Sequence, residues 1–131
     1  MVPAMEPTLS PALAPYLVTK NARGLIRFIE RGIGGRLSYE AVDDRGRLVH
    51  AEMRIADGLL MIGEAPADRP PFPCMLHLYV SDAHAAYRTA LRAGATSVRE
   101  PVDAGDGLAR GGVRDGWGNE WWFSSPTGAK G

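Results

Sequence analysis

Between Arg47 and Ile55 the chain alternates. Val49, Ala51, Met53 and Ile55 fall on one face of an extended strand, and His50, Glu52 and Arg54 fall on the other. The same period-two pattern predicts strands over 15–19 and 36–43, and the apolar run LLMIG predicts another over 59–63. Asp57-Gly58 is a strong two-residue hairpin signal. It pairs Ala56 with Leu59, Ile55 with Leu60 and Arg54 with Met61, which places Arg54, Glu52 and His50 on the side of Met61. Over 21–32 the period changes to that of a helix, with Asn21 as cap, Leu25, Ile26, Phe28 and Ile29 as the apolar stripe, and Gly32 near the stop.

GEAPADRPPFP then interrupts every periodicity, because its prolines stop regular elements. Beyond it the order repeats. MLHLYV (75–80) reads as a strand and DAHAAYRTALRAGA (82–95) as a helix capped by Asp82 and ended at Gly94. TSVREPV (96–102), a glycine-loosened GLARGGVRD (107–115) and the aromatic NEWWF (119–123) read as three further strands. An offset of 61 residues superposes Leu17 on Leu78, Ala22 on Ala83 and Leu37 on Val98. The pattern therefore predicts an α+β chain of two tandem strand–helix–three-strand modules, 12–63 and 74–125, joined by a linker at 64–73 and flanked by tails at 1–11 and 126–131. Each sheet has one apolar face that a single helix only partly covers.

Composition removes several classes of function. Lys plus Arg equals Asp plus Glu, 15 against 15, so no basic surplus points to nucleic acid. No polybasic helix or long apolar run points to a membrane, and the N-terminus lacks the pattern of a signal peptide, so a cytoplasmic protein is expected. Cys74, the one cysteine, excludes an internal disulfide and a cysteine-based zinc site, and nothing near it in sequence argues for a reactive thiol. Neither GGRL (34–37) nor DAGDGLARGG (103–112) has the strand–glycine–helix setting of a phosphate loop.

Four segments in order, PYLVTKNARGLIRFIERGIGG, LVHAEMRIADGLLMIGE, LHLYVSDAHAAYRTALRAGAT and VRDGWGNEWWF, resemble the vicinal oxygen chelate superfamily, the glyoxalase and bleomycin-resistance group, and within it the PhnB-like branch. The resemblance covers about residues 13 to 125. It implies two βαβββ units whose sheets form a cupped, incomplete β-barrel, with helices outside and the ligand in the cup. Enzymes of the group hold a divalent metal there with His, Glu or Gln from the first and last strand of each half. Aligned through the helices and turns, those positions carry Ala14, Met61, Met75 and Trp122, and the 61-residue offset relates both pairs. None supplies the oxygen or imidazole donor that such a metal requires. A register displaced by two residues would instead bring in His77 and Glu120.

On these alignments the cup side collects Tyr16, His50, Glu52, Arg54, Met61, Met75, His77, Tyr79 and Trp122 as candidate ligand-binding residues, while Trp121 and Phe123 face the helices. Each also has a purely structural explanation. Trp122, Met61 and Met75 fit as packing. His50 fits as a histidine bonded to Glu52, Arg54 as the ion-pair partner of Glu52, and His77 as a histidine bonded to Tyr79 or to a backbone carbonyl. Arg114 and Asp115 fit an ion pair at a hairpin end, and His84 a solvent-exposed helix position. The resemblance and these residues together imply a metal-free, cofactor-free binding module for a small apolar or aromatic molecule, with a sequestration or resistance role. A homodimer is the expected assembly, since open sheet edges invite pairing. Bleomycin, a large cation, is not the expected ligand, because the chain has no acidic surplus. The alternatives are a metal-dependent lyase, isomerase or dioxygenase using His77, Glu120, His50 and Glu52, metal-free acid–base chemistry by His50 and Glu52, and a cup packed shut in a structural protein. No residue is assigned a catalytic role, and the sequence leaves open whether chemistry occurs.

Overall fold

The structure, a computed structural model, describes residues 11–127. The expected tail at 1–11 lies outside these residues apart from Pro11, as does all but the first two positions of the tail at 126–131. The chain divides into two compact units, Met1–Glu30 with Gly34–Pro73, and Arg31–Ile33 with Cys74–Gly131. Among the described residues no helix is long and apolar enough to cross a membrane.

The first unit contains β1 (Tyr16–Thr19), α1 (Ala22–Phe28), β2 (Arg36–Val42), β3 (Leu48–Ile55) and β4 (Gly58–Glu64). Its four strands lie in the order β1-β4-β3-β2, with β1 parallel to β4 and the others antiparallel. The helix predicted over 21–32 is α-helical only to Phe28 and ends in a π-helical turn, Ile29–Ile33, against Gly34 at φ 94°. Asn21 adopts a left-handed backbone at φ 58°, which its short polar side chain tolerates, and its Oδ1 accepts from Gly24 N at 3.2 Å. The Glu64 carboxylate accepts from Asn21 N at 2.9 Å and from Ala22 N at 2.8 Å, so the end of β4 is tied to the start of α1. α1 packs on β3 and β4, and the apolar face of the sheet (Leu17, Ala51, Met53, Ile62) is fully buried with Leu25 and Ile29.

The hairpin between β3 and β4 differs from the expected one. Ile55 pairs with Gly58, Arg54 with Leu59 and Glu52 with Met61. The turn is thus Ala56-Asp57, one residue earlier, with Ala56 at φ 52° in the place where a type II′ turn needs a positive angle. Every pairing moves by two positions. A shift of two preserves faces, so His50, Glu52 and Arg54 still share the side of Met61.

The second unit contains β5 (Met75–Tyr79), α2 (Ala83–Arg92), β6 (Thr96–Asp103), β7 (Leu108–Arg114) and β8 (Glu120–Pro126). The order β5-β8-β7-β6 and the strand directions repeat those of the first unit. The parallel partners are 45 positions apart in both, Tyr16 with Met61 and Met75 with Glu120. The capping contacts repeat at an offset of 61. Asp82 Oδ1 accepts from Ala85 N at 3.1 Å, as Asn21 does from Gly24, and Ser125 Oγ accepts from Ala83 N at 2.8 Å, where Glu64 serves Ala22. The chain is therefore a mixed α+β fold of two tandem βαβββ modules with two open sheets.

The β7–β8 hairpin is organised by a buried carboxylate. Asp115 accepts from Trp117 N, Asn119 N, Asn119 Nδ2 and Trp121 Nε1, all between 2.8 and 2.9 Å. Trp121 is fully buried with Phe123 and Val113 on the face that packs on α2. The expected Arg114–Asp115 pair does not form, because both carboxylate oxygens of Asp115 are taken by these donors. Arg114 instead reaches Glu120 Oε2 at 2.7 Å. Asn119 Oδ1 accepts from Cys74 N at 3.0 Å, which ties the start of β5 to the same turn and gives Cys74 a scaffold setting. The Pro-rich linker folds back on β1, with Phe72 N donating to Val18 O at 2.8 Å.

Candidate functional site

Each sheet has a second face, opposite its helix, and the polar candidates lie there. In the first unit Tyr16, Met61, Glu52 and His50 meet on that face through the register Tyr16–Met61, Glu52–Met61 and His50–Gly63. Tyr16 Oη lies 3.0 Å from His50 Nδ1, and His50 Nε2 lies 3.5 Å from Glu52 Oε2. Glu52 is 2% exposed while Tyr16 is 44% exposed, so the chain runs from a buried carboxyl to an accessible phenol. With Glu52 as a carboxylate, which only accepts, Nε2 carries the imidazole proton and Nδ1 accepts from the phenol. Tyr39 adds a tilted ring contact to His50 at 6.1 Å between centroids. Gly63 makes the arrangement possible. A Cβ there would stand 2.6 Å from Tyr16 Oη and 2.8 Å from its ring, so the tyrosine lies over a backbone that only glycine leaves open. Arg54 is half-buried on the same face.

In the second unit Met75, His77 and Tyr79 project from β5 opposite Glu120, Trp122 and Ser124 of β8. Met75 and Tyr79 are 69% and 75% exposed. Trp122 is half-buried and lies on Gly112, where a Cβ would stand 2.6 Å from the indole. Its Nε1 donates to Glu120 Oε1 at 3.0 Å. That bond and the Arg114 guanidinium hold the Glu120 carboxyl below its ordinary range. The expected partners of His77 were Tyr79 or a carbonyl. Its Nε2 instead lies 2.8 Å from Ser124 Oγ, and Tyr79 makes only an edge contact to the ring, 4.7 Å between centroids. Arg110 Nε donates to the same Ser124 oxygen at 2.9 Å, and Arg110 Nη2 donates to Asp106 at 3.1 Å. Ser124 is fully buried. Its hydroxyl proton is satisfied only if it is donated to His77 Nε2, since an unpaired buried donor costs roughly 1–3 kcal/mol. His77 is then the tautomer with the proton on Nδ1. Burial, and then the charge of Arg110, lower its pKa below the usual histidine value, which keeps the ring neutral.

The structure thus brings Tyr16, His50, Glu52 and Met61 together in one unit, with Arg54 alongside, and Met75, His77, Tyr79 and Trp122 in the other. Sequence reasoning missed Arg110, Ser124, Gly63 and Gly112. Alternation across LARGGVR puts Arg110 on the His77 side, but its glycines weaken the strand signal, and the apolar pattern of the closing strand ends at Phe123, one residue before Ser124. For a metal, the positions that the resemblance aligns with the group's ligands carry Ala14, Met61, Met75 and Trp122, which are not ion donors. In the shifted set, both Glu120 oxygens are engaged and His77 Nε2 is bonded to Ser124. Among the described residues no group of three or more His, Cys, Asp or Glu is placed to share an ion. The side chains at the four aligned positions do not fit the group's metal centre.

Residues 11–123 match the sequence profile of the Glyoxalase/Bleomycin resistance protein/Dioxygenase superfamily. The chain is 29% identical over 134 aligned positions to the uncharacterized protein Mb0911c of Mycobacterium bovis, covering 94% of this chain and 88% of that one. It is equally similar to the uncharacterized protein Rv0887c of Mycobacterium tuberculosis, of which 79% is covered. Among solved structures, TioX from Micromonospora sp. ML1 superposes with a TM-score of 0.75 at 22% identity, over 87% of this chain and 97% of that chain. A glyoxalase/bleomycin resistance protein/dioxygenase family enzyme from Burkholderia phytofirmans PsJN superposes at 0.67 and 11% identity, over 86% and 96%. At these identities the structural likeness speaks for the fold.

Proposed function

The chain belongs to the glyoxalase/bleomycin resistance protein/dioxygenase superfamily, and from that premise we propose that it is a metal-free, PhnB-like member that holds a small apolar or aromatic molecule on its helix-free sheet faces. The observation that supports this reading is that Met61, Met75 and Trp122, which the resemblance aligns with ion-donor positions, lie on those faces, two of them thioethers that adapt to a ligand's shape. Exposed Met75 and Tyr79 leave apolar surface in contact with water that a ligand would cover. Sequestration of such a molecule is the role that follows. A thermal-shift panel of small aromatic compounds tests it. Several are expected to raise the melting temperature in proportion to concentration, as linkage requires. Protein incubated with nickel or manganese and then desalted should retain far less than one ion per chain. One tightly held ion per chain would refute the metal-free reading.

The Tyr16–His50–Glu52 contacts support a second reading, metal-free acid–base chemistry. Tyr16 Oη would take a proton from a carbon acid as its own passes to His50 Nδ1, with Glu52 steadying the imidazolium, and the proton would return at a neighbouring atom. Solvent-deuterium exchange into a panel of α-hydroxy carbonyl compounds should then be catalysed. Gly63→Ala should abolish it while costing at most about 1 kcal/mol of stability, because its Cβ meets the mobile end of a side chain. Exchange that survives in Gly63→Ala would remove Tyr16 from the mechanism.

A further inference from the structure

The second sheet carries a fixed cation beside a flat aromatic platform. We propose that this face binds an aromatic carboxylate, its anionic group held by Arg110 and its ring laid on Trp122. This inference rests on the small-molecule reading above and specifies the ligand's chemistry.

Ser124 holds both side chains in place. One fully buried hydroxyl accepts from Arg110 Nε and is bonded to His77 Nε2, at 2.9 and 2.8 Å, so the guanidinium and the imidazole are held around a single oxygen. The remaining polar atoms are Arg110 Nη1 and His77 Nδ1, and neither has a bond among the described residues. Both are donors in the tautomer that satisfies Ser124. Arg110 supplies a fixed cation for a carboxylate, and an uncharged isostere cannot recruit the charge.

The negative groups nearby are already accounted for. Glu120 is held by Arg114 and by the Trp122 indole. Asp106 holds Arg110 Nη2 from a position 52% exposed, where an ion pair is weak in water and leaves the other edge of the guanidinium open. The platform is set by Gly112, which lets the Trp122 ring lie against β7. Trp122 and Ser124 are two residues apart on one face of β8, about 7 Å at ordinary strand rise. That spacing suits a carboxylate one or two bonds removed from a ring system, as in an arylacetate. Tyr79, paired with Ser124 across the sheet and edge-on to His77, adds an exposed aromatic ring to the same face.

Calorimetric titration with 1-naphthaleneacetate and its neutral isostere 1-naphthaleneacetamide tests the proposal. The wild-type protein should bind the acetate at least about tenfold more tightly than the amide. Arg110→Gln should bring that ratio close to one. Asp106→Asn, an exposed change that endangers no packing, should tighten the acetate and not the amide. Equal wild-type affinities, or a ratio unmoved in Arg110→Gln, would overturn the carboxylate assignment and leave the small-molecule reading standing. Failure of both compounds to bind wild-type protein would overturn the two together.

Discussion

Asp115→Ala is expected to destabilise the protein by about 3–5 kcal/mol, because it strands several buried donors at once. Trp121 Nε1 and the Asn119 amide lose their acceptor in a place water does not reach, and Trp117 N loses the bond that shapes the turn. The damage extends beyond the hairpin. Asn119 is oriented by Asp115 and in turn holds Cys74 N, so the start of β5 loosens with it. At this chain length the loss corresponds to roughly 10–20 °C in melting temperature. Asp115→Asn keeps one acceptor oxygen and should cost less. Trp121→Phe removes a single donor and keeps most of the buried ring, so it should cost less again. Urea denaturation of the three variants checks the order. A loss under about 1 kcal/mol for Asp115→Ala would mean that the buried donors find other partners, and the carboxylate would not be the organising group.

Gly111→Ala and Gly112→Ala are neighbours with opposite expected consequences. A Cβ on Gly111 would stand 2.6 Å from Pro101 N and 2.7 Å from its Cα, which is backbone and cannot turn aside. Pro101 lies within the register shift between Arg99 and Val102 on β6, so relief requires β6 to move off β7. About 2–4 kcal/mol of destabilisation is expected, the range of a severe overpacking change. A Cβ on Gly112 meets the Trp122 indole at 2.6 Å instead. That side chain is half-buried and can tilt, so the expected cost is about 1 kcal/mol. The consequence there is functional: the platform beside His77 and Arg110 is re-aimed, and ligand affinity should fall. Denaturation midpoints compare the two variants directly. Equal costs would show that Trp122 is wedged as firmly as a strand, which would favour a packed face over a binding one.

Much of this molecule is legible in its sequence. Apolar period, caps and glycine stops locate the eight strands and two α-helices of the described residues to within a few positions, since each signal is local: Asn21 and Asp82 cap where they stand. The 61-residue offset was legible too, because the two modules answer the same burial problem in the same order. Alternation also assigned faces correctly, placing Trp121 in the core and Trp122 opposite, since face depends only on parity along a strand.

Tertiary structure alone decided register and partnership. Registers two positions apart bury the same apolar residues, so no hydrophobic pattern could separate the Ala56-Asp57 turn from the Asp57-Gly58 turn. Only the true register sets His50 opposite Gly63, and only glycine there lets Tyr16 reach across to the imidazole. Likewise Arg110, Ser124 and His77 come from three strands, and nothing along the chain announces that one hydroxyl will serve two of them. Parity is a property of a strand, whereas a hydrogen-bonded set belongs to the distances between strands, and those distances exist only in the folded sheet.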